Sequence, residues 1–144
     1  MLDRVLFQQN SLEGAYMHGT TFIACKLVDC NCEGFSMEGC VLRRCTVEGG
    51  NFDGSELSDT QFRDSELRDL ALNDIEWSAL IFNGGRFELI EGSSGTLRGC
   101  TLREVELIDV SFEGLDVEHS SLTPLKGQTA PKGFTLRSGK RTKV

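Results

Sequence analysis

The chain has 144 residues, of which 39% are hydrophobic and 26% charged, and its formal net charge at pH 7 is −7. This length and this apolar fraction predict one soluble domain. No run approaches the roughly 18 apolar residues of a membrane-spanning helix, and the N-terminal residues lack a signal-peptide pattern, so we expect a cytoplasmic protein.

The charge is divided unevenly along the chain. All 22 acidic residues lie between Asp3 and Glu118, whereas residues 123–144 contain six basic residues and no acid. The first 122 residues therefore hold the other nine basic residues and have a net charge of −13. A body this acidic repels nucleic acids and membrane surfaces and attracts basic partners.

A five-residue repeat organises the sequence. Every fifth residue from Leu2 to Leu122 is apolar at 24 of 25 positions, and Gly92 is the exception. We call these the central positions. The residues two places earlier, which we call the second inward positions, are never charged from Val5 to Ser120. A period of five fits neither a helix nor a flat strand. It predicts sides of a square coil, with about twenty residues per coil and about 4.8 Å between coils.

Three stretches carry a resemblance to a known family. Residues 50–54 (GNFDG), 65–69 (SELRD) and 110–114 (VSFEG) resemble the Ala-(Asp/Asn)-Leu-x-x motif of pentapeptide-repeat proteins. The resemblance covers residues 1 to about 122, although only Asn31, Asn51 and Asp116 keep the Asp/Asn position. It implies an all-β fold, a right-handed quadrilateral β-helix solenoid of about six coils. Residues 1–122 form this domain, and residues 123–144 are expected to form a C-terminal cap and basic tail.

The N-terminal coil has no covering element in the sequence. Leu2, Val5 and Phe7 would lie at the open edge of the solenoid, and such edges invite pairing. The sequence therefore predicts a homodimer that is joined through the N-terminal coil.

The six cysteines raise the question of a metal site. Five occupy second inward positions and Cys32 occupies a central one: Cys25, Cys30, Cys32, Cys40, Cys45 and Cys100. Structural zinc needs four ligands that converge at short distance, which this spacing does not favour. We expect reduced thiols that serve as small core residues, with no metal and no cofactor.

Two later segments depart from the regular pattern of the five-residue repeat. Residues 91–95 (EGSSG) keep the register, but Gly92 at a central position leaves a hole, so we expect this segment to bulge as a loop. Pro124 and Pro131 end the repeat, and the apolar residues of the tail are expected to fold back as the cap: Leu125, Phe134 and Leu136. Glycines from Gly14 to Gly114 that follow the corners suit tight turns.

Catalysis is disfavoured by the residues available. His18 and His119 fall at opposite ends of the rod, and no nucleophile, phosphate-binding or metalloprotease motif occurs. Carboxylate pairs such as Asp64 with Glu66 lie on a convex surface, where water is not excluded. The sequence therefore predicts a binding protein and not an enzyme.

Sorting the charges by side singles out one surface. The first side, which contains Leu2 and Phe22, has a net charge of +2, and the sides that follow have −4, −6 and −5. The third side has six acids and no base: Glu13, Glu33, Asp53, Asp74, Glu91 and Glu113. We predict that these residues bind the partner; the alternative is a solvated acidic surface without a function.

The leading hypothesis is an acidic protein ligand for a basic, nucleic-acid-binding protein. The resemblance implies that such a rod can imitate B-DNA and inhibit or protect a gyrase-like enzyme. A bacterial or phage protein aimed at a phage-defence DNA-binding complex would use the same physics. A rod about 29 Å long would imitate about eight or nine base pairs. The alternative is a scaffold module of an effector or a phage particle, and an enzyme is the third hypothesis.

Overall fold

The computed structural model describes residues 1–123, 125 and 135–136. The strands found in these residues are β1 (Leu2–Asp3), β2 (Leu6–Gln8), β3 (Tyr16–His18), β4 (Thr21–Ile23), β5 (Lys26–Val28), β6 (Ser36–Glu38), β7 (Val41–Arg43), β8 (Thr46–Glu48), β9 (Glu56–Ser58), β10 (Gln61–Leu72), β11 (Ile75–Ser78), β12 (Ile81–Gly92), β13 (Gly95–Arg98), β14 (Thr101–Arg103), β15 (Glu106–Ser111), β16 (Asp116–Glu118), β17 (Ser121–Thr123) and β18 (Thr135–Leu136). Within the part of the chain that the structure describes, no helical segment has the length and apolar character to cross a lipid bilayer.

The strand register confirms the coil. Pairing from β1 to β17 is parallel and joins residues twenty apart, as in Leu2 with Phe22, Phe62 with Phe82 and Leu102 with Leu122. The stacked coils form a β-solenoid of about six turns, so the predicted fold class is confirmed.

The four sides are built differently. The first and second sides belong to a 12-stranded sheet, and the fourth is a 6-stranded sheet in the order β16-β13-β11-β9-β6-β3. The third side begins with single bridges from Ser11 to Asn31 and from Asn31 to Asn51. Backbone hydrogen bonds such as that from the N–H of Leu12 to the carbonyl oxygen of Asn31 at 2.7 Å also join the coils on this side.

The interior is filled from the second coil onward. Phe22 is 2% exposed, whereas the central residues of the first coil are only partly buried. Phe62 and Phe82 stack with ring centroids 4.6 Å apart, and Phe87 meets Phe82 edge-on at 4.9 Å. Burying one such side chain stabilises the fold by roughly 1.5–3 kcal/mol.

The cysteines lie in the core, as the repeat predicts. All six are buried free thiols. At second inward positions they bond to the backbone: the Cys25 thiol donates to the carbonyl oxygen of Leu2 at 3.5 Å. Thr60 has the same role, because its Oγ1 donates to the Ser58 carbonyl oxygen at 2.9 Å and accepts from the Cys40 N–H at 3.3 Å. Burial raises the pKa of Cys32 to about 12, which keeps this thiol neutral and unreactive.

At the corners, residues other than glycine also adopt the left-handed backbone conformation. Gly14 has φ 61°, as its type predicts, but fourteen non-glycine residues in the described part of the chain also have positive φ, among them Asp29 at 50° and Leu89 at 55°. Gly114 is an exception among the corner glycines because its φ is not in the left-handed region. A Cβ there would lie 2.2 Å from the carbonyl oxygen of Ser93, so close backbone approach requires the glycine.

The expectation of a bulged loop at residues 91–95 is wrong. Strand β12 continues through Gly92, which pairs with Leu72 in the regular register. The hole is filled from inside the coil, because a Cβ on Gly92 would lie 2.7 Å from Cδ1 of Leu115. A leucine at a second inward position thus replaces the missing central side chain.

The two ends of the solenoid differ. Strand β18 pairs in parallel with β17 and places Leu136 beside Leu122, fourteen residues away. Leu125 is 38% exposed and Phe134 lies outside the described residues, so the C-terminal cap stays a prediction. At the other end, Leu6 is 56% and Tyr16 is 61% exposed.

Candidate functional site

Four of the six predicted acidic residues of the third side stand on β-turns. The N–H of Ala15 donates to the Leu12 carbonyl oxygen at 2.9 Å, and the same bond recurs from Phe35 to Cys32 at 3.0 Å. Each turn places its second residue outward at the same point of successive coils. Glu13, Glu33, Asp53 and Glu113 occupy this point, and we call these four residues the acidic column.

Polar side chains one place before the central position hold these turns. Oδ1 of Asn31 accepts the N–H of Glu33 at 3.3 Å, and Oδ1 of Asn51 accepts the N–H of Asp53 at 2.9 Å. Such bonds to a backbone N–H two residues on favour tight turns. The two asparagines that keep the family motif therefore orient the neighbouring carboxylates.

The acidic column is continuous over three coils and then interrupted. Glu13, Glu33 and Asp53 follow one another at intervals of about 4.8 Å. Nδ2 of Asn73 then donates to Oδ1 of Asp53 at 2.8 Å, and the Ser93 hydroxyl donates to Oδ1 of Asn73. This amide and hydroxyl ladder separates the first three carboxylates from Glu113.

The other two predicted site residues share the side but not the column. Asp74 lies at a corner with φ 52°, and its N–H donates to Oγ of Ser94 at 2.9 Å. Glu91 lies on β12 between Ala71 and Ser111 in the neighbouring column. Both side chains are exposed, so the third side presents carboxylates across its width and not along one line.

On the second side, two of the acidic residues are paired with arginines. Nε of Arg86 lies 2.8 Å from Glu106, and Glu88 lies between Arg86 at 3.9 Å and Arg68 at 3.4 Å. The hydrogen bond to Glu106 raises the pKa of Arg86. Glu88 and Glu106 on the second side are therefore engaged within the molecule, whereas the third side has no basic residue.

The fourth side contains a feature that sequence reasoning missed. The hydroxyl of Tyr16 donates to Oε2 of Glu38 at 2.5 Å, and Nδ1 of His18 lies 3.4 Å from the same oxygen. This hydrogen bond raises the pKa of Tyr16 and lowers the pKa of Glu38. Tyr16 is paired with Ser36 on the next coil, and Glu38 lies two places further along the same strand face. The twenty-residue repeat could therefore have predicted that Tyr16 and Glu38 are close.

The same side is indented along the rod. A surface depression of about 730 Å³ extends from Tyr16 over Glu56 and Glu76 to Arg98, with small residues such as Ser58 and Ser78 between them. The side is the outer face of a continuous parallel sheet.

The described residues offer chemistry for binding. No three histidine, cysteine, aspartate or glutamate side chains in residues 1–123, 125 and 135–136 are grouped so that they could hold a metal ion. His18 and His119 lie in the first and last coils. What these surfaces present is exposed carboxylates on a rigid frame, which can accept bonds from lysine or arginine side chains.

Comparison with known families identifies the repeat. Residues 25–69 match the family described as pentapeptide repeats, in eight copies. Residues 25–69 therefore carry pentapeptide repeats. The five-residue spacing and the twenty-residue register continue on both sides of the matched segment, from Leu2 to Leu122.

Two solved structures are similar to this chain over most of its length, and no curated protein matches the chain. Full-length QnrB1, a plasmid-mediated fluoroquinolone resistance protein, is 13% identical, over 84% of this chain and 92% of that chain, with a TM-score of 0.32. A trypsin-treated QnrB1 variant is 12% identical, over 94% of this chain and 91% of that chain, with a TM-score of 0.27.

Proposed function

We propose that this protein is a non-enzymatic binding module whose third side occupies the nucleic-acid-binding surface of a basic protein. The observation that carries the proposal is the side with six acids and no base, on which Glu13, Glu33 and Asp53 stand on three successive coils. A surface of one sign on a rigid frame attracts partners of the other sign and limits the entropy lost on binding.

The charge density supports imitation of duplex DNA. Residues 1–122 have a net charge of −13 over about six coils. At about 4.8 Å per coil the rod is about 29 Å long, so it has one net negative charge per about 2.2 Å. Duplex DNA has one per about 1.7 Å of its axis. The rod therefore presents a comparable field over about eight or nine base pairs.

The family resemblance narrows the class of partner. Some pentapeptide-repeat proteins resemble B-DNA in width and charge and protect or inhibit DNA gyrase. A gyrase-like enzyme, or a phage-defence complex that binds DNA, is the partner we propose, in the cytoplasm of a bacterium. Nucleic acid and membranes would not bind directly, because their negative charge is repelled by the acidic body.

Competition with DNA tests this function. The protein is immobilised and used to capture partners from a lysate of its native host, and the captured proteins are challenged with duplex DNA and with salt. The proposal predicts nucleic-acid-binding proteins that duplex DNA displaces and that are lost steeply as salt rises. Captured proteins that are insensitive to both treatments would refute it.

A scaffold that docks through its N-terminal coil is the second candidate. It is favoured by the half-buried interior residues of this coil, Leu2, Val5 and Phe7, and by exposed Leu6 beside them. These residues are also the edge through which we propose a homodimer. Association through an apolar edge would be nearly independent of salt, which distinguishes it from binding through the third side.

A further inference from the structure

The depression on the fourth side contains two carboxylates that form no ion pair within residues 1–123. Glu56 on β9 and Glu76 on β11 are directly opposite each other in the parallel ladder, and both are exposed. Neither takes part in an ion pair within residues 1–123, whereas Arg98 on the same side is engaged by Glu118 at 2.7 Å. The two charges stand about 4.8 Å apart along the rod axis, facing solvent.

Two neighbouring columns of the sheet line this depression. One column of the sheet holds Tyr16, Glu56 and Glu76, and the other holds Glu38 and Arg98. The columns lie two residues apart along each strand, which is about 6.7 Å. Ser58 and Ser78 lie in the second column between Glu38 and Arg98, so this column is low beside Glu56 and Glu76. The depression runs parallel to the rod axis over five coils, a distance of about 19 Å.

We propose that this depression binds a basic α-helix of a partner protein, with the helix axis along the rod. A helix rises about 1.5 Å per residue, so side chains three residues apart are about 4.5 Å apart along its axis. This repeat matches the coil spacing of about 4.8 Å that separates Glu56 from Glu76. An extended peptide presents side chains on one face at about 6.7 Å and does not match it.

The carboxylates of the depression determine which residues of the helix would face it. Glu38, Glu56 and Glu76 attract lysine or arginine residues at spacings of three and four. Tyr16, which is 61% exposed, stands at the N-terminal end as a large amphipathic contact of the kind enriched at interface centres. About 13 residues of helix would span the five coils.

This surface is separate from the third side, and the inference rests on the proposed function only in requiring a basic partner. The probe is an alanine-rich peptide of about 20 residues with lysine at alternating spacings of three and four, which is long enough to be helical in water. Its control has the same lysines but prolines in place of central alanines, which abolish the helix.

The decisive comparison uses two charge-matched variants. Glu56→Gln with Glu76→Gln removes two charges from the fourth side, and Glu13→Gln with Glu33→Gln removes two from the third. All four positions are exposed, so both variants should fold, as a circular dichroism melt verifies. Fluorescence anisotropy measures the affinity of each for both peptides.

We expect the helical peptide to bind at least about tenfold more tightly than the proline peptide, and only the fourth-side variant to abolish that difference. No binding of the helical peptide, equal binding of both peptides, or equal loss in both variants would each overturn the inference. Failure of the proposed function is seen separately, because it is read from displacement of captured proteins by duplex DNA.

Discussion

Gly92 and Leu115 share one volume in the core. A Cβ on Gly92 would lie 2.7 Å from Cδ1 and Cγ of Leu115, which is itself 8% exposed. The glycine stands where every other central position has a larger side chain, and the leucine reaches into the vacated space. The two residues should therefore behave as a pair in stability.

Exchange of this pair tests the packing. Leu115→Ala should cost roughly 2–5 kcal/mol in unfolding free energy because it opens a cavity. Gly92→Leu should cost about 1–3 kcal/mol because it overpacks the same space. The double variant should be less destabilised than the sum, with a coupling of about 0.5–3 kcal/mol in urea unfolding. Additive effects would contradict a shared volume.

Neighbouring substitutions test the five-residue phase. Phe62 is 4% exposed and stacks on Phe82, so Phe62→Asp should prevent folding by placing a charge in the stacked interior. Arg63 is exposed and donates to Gln61 at 2.8 Å, so Arg63→Asp should change stability by no more than about 0.5 kcal/mol. Circular dichroism and urea unfolding measure both, and similar effects would mean that the phase is wrong.

The hydrogen bond between Tyr16 and Glu38 can be read by titration, because Tyr16 is the sole tyrosine of the sequence. Glu38→Gln should lower the pKa of Tyr16 toward about 10, as followed by ultraviolet difference absorbance. Tyr16→Phe should raise the pKa of Glu38, as measured by NMR. Glu56→Gln is the control and should leave the tyrosine titration unchanged, whereas an unchanged titration in Glu38→Gln would refute the bond.

The directions of the two pKa shifts define the pH ranges in which each group stabilises the folded protein. The pKa of Glu38 is lowered in the folded protein, so its contribution is present above the unfolded value of about 4.3 and is lost as pH falls through the folded value. The pKa of Tyr16 is raised, so its contribution is present below about 10 and is lost as pH rises through the folded value. Both groups are exposed, so the effects on stability are small.

The N-terminal coil gives a prediction about assembly. Phe7→Glu places a charge at the half-buried edge and should convert the proposed dimer to monomer, or make the protein insoluble. Truncation after Leu122 should leave the dimer intact. Light scattering at tens of micromolar measures the mass, and a monomeric wild-type protein would contradict the proposed edge.

The interior of this fold could be predicted from the sequence because each kind of inward position recurs every five residues and accepts only residues that fit inside the coil. Cys25 and Thr60 have little in common as amino acids, yet both fit a second inward position and bond to the backbone there. The left-handed corners were foreseen only at glycine. Asp29 and Leu89 adopt the same conformation because the coil geometry outweighs the local preference of the residue.

Features that join different coils were harder to foresee. Residues 91–95 look like a loop when the segment is considered alone, and only the position of Leu115 in the next coil explains why they remain in register. The depression of the fourth side likewise depends on small residues such as Ser58 and Ser78 from different coils. The acidic residues of the third side were assigned correctly to one side, but the interruption by Asn73 and Ser93 depends on side-chain hydrogen bonds.

The central claim is tested most directly by the affinity for the captured partner after charge reversal on opposite sides. Changing Glu13, Glu33, Asp53 and Glu113 to Lys alters the third side from −6 to +2, and reversing Arg43, Arg44 and Arg63 to Glu is the control on the first side. These are surface positions, so both variants should fold. We predict that the lysine variant loses more than about tenfold in affinity and that the control loses much less. Full affinity in the lysine variant would contradict DNA mimicry by the third side and favour the scaffold.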